Sequence, residues 1–127
     1  MSIKPGDTFL FQYPDKEFHL HIVVETITSD NKTLCVFVSS IKSDRGYDKA
    51  CMLNAGDAPF IKHPSYAVYD KMRMCDCSWL ERMLNEGMIK KKEPLAPSVL
   101  KRVVDGAVNS LDDQQYVPEI PQELLGR

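Results

Sequence analysis

Phe18-His-Leu-His-Ile-Val-Val-Glu-Thr-Ile-Thr28 is the stretch that governs the fold class. It is rich in β-branched and aromatic residues, which favour an extended strand. Side chains alternate along a strand, so Phe18, Leu20 and Ile22 take one face, the expected core side, and His19 and His21 take the other. Turn-formers bracket the run: Pro14-Asp-Lys-Glu17 before it and Ser29-Asp-Asn-Lys32 after it. The neighbouring runs are therefore expected to pair with it antiparallel. Thr8-Phe-Leu-Phe-Gln-Tyr13, launched by the Pro5-Gly6-Asp7 turn, is the first strand. Thr33-Leu-Cys-Val-Phe-Val-Ser39 is nearly continuous in apolar residues and is expected to be the central third strand.

Working outward, Ser43–Asp48 reads as a loop, and Ala50–Leu53, Tyr66–Tyr69 and Lys71–Cys75 are further short strand candidates. Strands this short and closely spaced suggest a small, strongly bent β-barrel. The pattern then changes period. Ser78, with Glu81 three residues on, forms a capping box for a helix over about 78–86 that Gly87 ends. Trp79, Leu80, Met83 and Leu84 share its apolar face, which should plug one side of the barrel. Pro97 suits a first helical turn. Leu100, Val103, Val104, Ala107 and Val108 then make a stripe for a second helix over about 97–109. The expected organisation is one mainly β domain with appended helices (α+β) over 1–110. A tail over 111–127 is read as flexible or laid on a partner.

The chain has 127 residues, a formal net charge of −2, 43% hydrophobic and 27% charged residues. That balance argues against broad, non-specific nucleic-acid binding but leaves room for a local basic cleft. No apolar run approaches the roughly 18 to 20 residues of a membrane span, and Met1–Asp7 carries no signal-peptide core. A cytoplasmic protein without membrane contact is expected. Four cysteines in C-x-C and isolated positions read as reduced structural thiols rather than a zinc knuckle. Lys90-Lys91-Lys92 reads as a solvated charge run.

Chemistry-bearing residues fall in three places. His19 and His21 lie about 6.5 to 7 Å apart on one strand face, a spacing that suits acid–base work or one metal ion, although solvent-facing edge histidines fit the same pattern. Ser39 and Ser40 end the third strand, where hydroxyls bind phosphate or cap a turn. The loop Asn54-Ala-Gly-Asp-Ala-Pro-Phe-Ile-Lys-His-Pro-Ser-Tyr66 offers a cation, Lys62, a titratable ring, His63, and a hydroxyl, Ser65. Phe60 and Ile61 are expected to pin this loop to the body. Neither G-x-S-x-G, H-E-x-x-H nor a glycine-rich phosphate cradle occurs.

Lys4-Pro-Gly-Asp-Thr8, His19-Leu-His-Ile-Val-Val24, Val36-Phe-Val-Ser-Ser40 and Pro59-Phe-Ile-Lys-His-Pro-Ser-Tyr66, in that order, resemble the PemK/MazF-like toxins of type II toxin–antitoxin modules. The resemblance spans about residues 3 to 110. It implies an SH3-like barrel, usually a homodimer with a cognate antitoxin protein. It also implies metal-independent, cofactor-free cleavage of single-stranded RNA or mRNA through a 2′,3′-cyclic phosphate. Ser39 matches the hydroxyl that ends the family's third strand. His19-Leu20 stands where the family carries Arg-Pro, and the first loop is short. On this reading His19 or His21 is the base and His63 the acid, Lys62 stabilises the phosphorane, and Ser39, Ser40 and Ser65 contact phosphate. The competing expectations are a non-catalytic protein-interaction module on the same barrel and a His-x-His metal site.

Overall fold

The computed structural model describes residues 3–12, 16–27, 29–41 and 49–113. Its strands are β1 (Thr8–Gln12), β2 (Phe18–Ile27), β3 (Lys32–Ser40), β4 (Met52–Leu53), β5 (Ser65–Ala67), β6 (Arg73–Asp76) and β7 (Lys90–Lys92). Its α-helices are α1 (Cys77–Asn85) and α2 (Pro97–Asp113). All paired strands are antiparallel, in the order β4-β5-β3-β2-β1-β7 with β6 also on β3. The expected meander of β1, β2 and β3 is therefore present, with β3 central.

β3 serves three partners because it is long. One edge pairs with β2; on the other, Val38–Ser40 meets β5 and Lys32–Cys35 meets β6. Among the described residues, the closed barrel expected from strand length does not form. β4 and β7 end the strand path without pairing with each other, so the sheet stays open. Short strands permit closure, but closure also requires the terminal edges to meet.

The alternation in β2 survives in the structure and divides two apolar layers. Leu20, Ile22 and Val24 join Leu34, Val36 and Val38 on the face covered by α2 through Val99, Val103 and Ala107. Val23 and Cys35 join Phe9, Cys75 and Ile89 on the other face, where Leu80, Trp79, Met83 and Leu84 of α1 pack. Both faces are thus buried. Phe18 is the exception to the expected inward row: at the strand's start it is 53% exposed. The β2–β3 register shifts between Val23 and Glu25, while on the other edge of β2 the chain at Gly6-Asp7 continues the β1–β2 pairing by one position. Gly6 N–H donates to Val23 O at 2.8 Å, and Val23 N–H donates to Asp7 O at 2.9 Å.

Helix α1 begins one residue earlier than expected, and its N-cap is Asp76 without a side-chain capping bond. The Ser78 hydroxyl accepts instead from the Asn31 side-chain amide at 2.9 Å, which ties the helix to the β2–β3 turn. Its end follows the glycine rule. Gly87 has φ +76°, Met88 N–H donates to Met83 O, and Gly87 N–H donates to Leu84 O. That pair of bonds is the Schellman arrangement, which satisfies the last carbonyls. Helix α2 runs beyond the expected 109 to Asp113. The remaining tail, the Pro14-Asp15 part of the first turn and the Ser43–Asp48 loop lie outside the described residues.

The Lys90–Lys92 run is an edge strand on β1, with all three residues exposed. Backbone pairing places it there, flanked by the buried Ile89 and by the Thr8 hydroxyl donating to Glu93 O at 2.8 Å, and lysine at a sheet edge discourages pairing with another chain. Tyr66–Tyr69 divides into β5 and a 3-10 turn over Tyr69–Lys71. Tyr69 is fully buried and donates its hydroxyl to Val103 O at 2.8 Å, which locks α2 to the sheet.

Candidate functional site

β2, the end of β3 and the loop before β5 meet at a cleft of about 290 Å³. Its walls include His19, Ser39, Ser40, Lys62, His63 and Ser65. Six of the seven candidate residues read from separate stretches are therefore brought together. His21 does not line the cleft. It is 4% exposed, with ring centroids 5.7 Å from both Phe11 and Phe37. The expected pairing of His19 with His21 as catalytic partners is therefore not seen, nor are both solvent-facing, because a second apolar layer covers this side of β2 at His21.

His19 is 8% exposed and packs 5.0 Å, centroid to centroid, from Phe37. Its Nδ1 lies 3.2 Å from the Val38 carbonyl oxygen. A carbonyl can only accept, so Nδ1 carries the proton and the neutral ring has its lone pair on Nε2. The backbone of β3 thus sets both the orientation and the tautomer of His19.

The loop that carries Lys62 and His63 is shaped by short-range bonds. Asn54 N–H donates to Asp57 Oδ2 at 2.8 Å, Asp57 N–H to Asn54 O at 3.0 Å, and Gly56 N–H to Ile61 O at 3.0 Å. Gly56 has φ +94°, a conformation that costs other residues strain. Ala58 and Ile61 are buried and anchor the loop, whereas Phe60, expected to share that task, is 42% exposed. Ser65 pairs with Ser40 in the β3–β5 ladder and donates its hydroxyl to His63 O at 2.8 Å. Ile41 N–H donates to Pro64 O at 2.9 Å, closing the loop's far end.

Arg102 of α2 is a positioning residue that the sequence did not single out. Its guanidinium donates to Met52 O at 2.7 Å and to Asp57 Oδ2 at 3.2 Å. Burial alone pushes the Asp57 carboxyl up, but the Asn54 amide and the Arg102 guanidinium outweigh it and hold the carboxyl below its ordinary value. The cleft also includes Glu17, Phe18, Leu20, Val38 and Phe60. Neither Glu17 nor Phe18 was expected at a site: Glu17 reads as part of a turn, and Phe18 as the first residue of the core-facing row.

The cysteines form no disulfide among the described residues. Cys35 and Cys75 lie on paired strands, with Cys75 opposite Thr33 and Cys35 opposite Arg73. A hydrogen bond from Cys35, aided by Arg73 against the cost of burial, lowers the Cys75 thiol to about 7; the same contact raises Cys35. For the His-x-His metal reading, the described residues contain no group of three or more His, Cys, Asp or Glu able to hold an ion. Among them no helix is long and apolar enough to cross a membrane.

No family model matches the chain, and no curated protein matches it.

Proposed function

We propose that the 290 Å³ cleft cleaves single-stranded RNA by internal transesterification, without a metal. The carrying observation is the meeting of His19, His63, Lys62, Ser39 and Ser40 in one cleft. This reaction needs a base, an acid and donors for a charge-rich phosphorane, and each has a candidate here. Nε2 of His19 takes the proton of the ribose 2′-hydroxyl, and that oxygen attacks the adjacent phosphorus. The bond from phosphorus to the 5′-oxygen breaks as His63, entering as imidazolium, gives that oxygen a proton. The products are a 2′,3′-cyclic phosphate and a 5′-hydroxyl. Lys62 stabilises the phosphorane, and Ser39 and Ser40 contact phosphate oxygens, whereas the Ser65 hydroxyl is engaged with His63 O and holds the loop instead.

The choice of His19 over His21 as base follows from the cleft lining and from the tautomer that Val38 O enforces. The toxin-like resemblance supports the same chemistry, with an antitoxin and a second copy of the chain as implied partners. The open sheet and the histidine at the family's arginine position are departures from that pattern. Histidine lacks the forked, permanent charge of arginine, so the catalytic load moves to His63 and Lys62.

Incubation of the protein with single-stranded RNA in EDTA tests the reading. Cleavage is expected, reduced about 10² to 10⁴-fold by His19→Ala or His63→Ala, the usual worth of one proton-transfer group. Intact RNA with wild type, or full activity in His63→Ala, overturns it. A second reading, docking of a protein partner, draws on Phe18 and Phe60, which are 53% and 42% exposed beside the cleft. On that reading growth inhibition tolerates loss of both histidines.

A further inference from the structure

A second, larger cleft of about 670 Å³ shares Leu20, Phe60 and Lys62 with the first. Beyond that shared wall it is bordered by Lys91 and Lys92 of the edge strand β7, with Thr8 and Glu93 at its side. We infer that this groove carries the continuation of the RNA strand next to the cleaved bond, with its phosphates on Lys91 and Lys92 and a base against Phe60. The inference rests on the RNA-cleavage reading and deepens it from a phosphodiester to an extended strand.

Three observations support this occupant. The two clefts share residues, so a strand that leaves the site past Lys62 enters the groove directly. Lys62, Lys91 and Lys92 make no ion pair among the described residues, which leaves their charge available to phosphate. Phe60 is a large aromatic held in the open by a loop whose neighbours Ala58 and Ile61 are buried. An exposed ring beside unpaired cations is the arrangement that grips single-stranded nucleic acid, through stacking on the base and attraction to the backbone. The groove also accounts for the β7 edge: two of its three exposed lysines, Lys91 and Lys92, line one side of the path.

The test is fluorescence anisotropy with 2′-O-methyl oligonucleotides, which lack the attacking hydroxyl and are not cut. A dinucleotide and a hexanucleotide are compared on wild type and on Lys91→Gln/Lys92→Gln, with the urea midpoint as a folding check. The hexamer is expected to bind wild type more tightly than the dimer. The double variant should bind it about tenfold more weakly, with a salt slope about 1.4 smaller, as the loss of two single-strand phosphate contacts requires. Dimer binding should not change. Equal hexamer affinity and salt slope in the double variant overturn the groove assignment, as does a hexaglutamate peptide that binds as well as the hexamer. Lysine-dependent hexamer binding without RNA cleavage sustains the groove and removes the catalytic reading. Cleavage indifferent to RNA length and to both lysines does the reverse. Absence of any hexamer binding by wild type overturns both.

Discussion

Gly106→Ala tests the joint that sets the site's geometry. A Cβ at Gly106 would collide with the Tyr69 hydroxyl and stand 2.8 Å from Cys51 Cβ and 3.0 Å from the Ala50 carbonyl oxygen. None of these can yield cheaply: Tyr69 is fully buried and bonded to Val103 O, and the other two atoms belong to or adjoin backbone. Overpacking of this kind costs about 1 to 3 kcal/mol. Displacing the Tyr69 hydroxyl from its acceptor adds about 1 to 3 kcal/mol for a buried polar group left unsatisfied. Against this, alanine gains only about 1 kcal/mol over glycine in a helix interior. The net expectation is a loss of about 3 kcal/mol. With a urea dependence of about 1 to 3 kcal/mol per molar, the unfolding midpoint falls by roughly 1 to 3 M. Gly87→Ala is the control, because open space surrounds that position and only its left-handed backbone is penalised, by about 1 to 2 kcal/mol. A Gly106→Ala protein as stable as wild type, or more so, would refute the close approach of α2 to Tyr69. The consequence reaches the site, since Arg102 lies one turn earlier on the same helix and holds Asp57.

Arg102→Met should leave the fold intact but loosen the Asn54–Pro64 loop. RNA cleavage is expected to fall several-fold, with faster amide exchange at Gly56 and Ile61; unchanged exchange would remove Arg102 from its positioning role. The Asp57 carboxyl is held below its ordinary value, so it contributes stability above the unfolded value of about 3.9 and loses it as pH falls through the lower folded value. The loop's amide protection factors, with the intrinsic pH dependence of exchange divided out, should therefore fall on acidification in wild type and lose that dependence in Asp57→Asn, as read by NMR; identical profiles would contradict the assignment. Thiolate absorbance near 240 nm should titrate with a midpoint near 7 in wild type. It should vanish from that range in Cys75→Ser and move up in Arg73→Met; a Cys75→Ser trace that keeps the same midpoint would refute the pairing.

What could be read from the residues, and what could not, divides along the range of the interactions. The alternation in Phe18–Thr28 assigned Leu20 and Ile22 to a core correctly, because one strand suffices to define a face. It could not show that the opposite face is also covered, since that depends on α1, more than fifty residues on. His21 therefore read as a surface partner of His19, whereas it is packed against Phe11 and Phe37. Lys90–Lys92 carries no periodicity, and only backbone pairing with Thr8–Leu10 makes it a strand. Barrel closure was equally out of reach, because it is a property of two edges distant in sequence. The loop's polar groups were legible as a cluster, yet the residue that holds their loop, Arg102, is 45 positions from Asp57. Ser39, Ser40 and Ser65 met as the antiparallel register requires: Ser40 opposite Ser65, and Ser39 opposite Tyr66.

The central claim is that His19 and His63 divide the proton transfers of a transesterification. It is tested most directly by following a ribodinucleotide with ³¹P NMR in EDTA. The account predicts a cyclic-phosphate resonance with wild type, its near absence with His19→Ala or His63→Ala, and its persistence with His21→Phe, whose ring stays in the aromatic layer. An unreacted dinucleotide with wild type, or a cyclic phosphate formed as fast without His19, would contradict it.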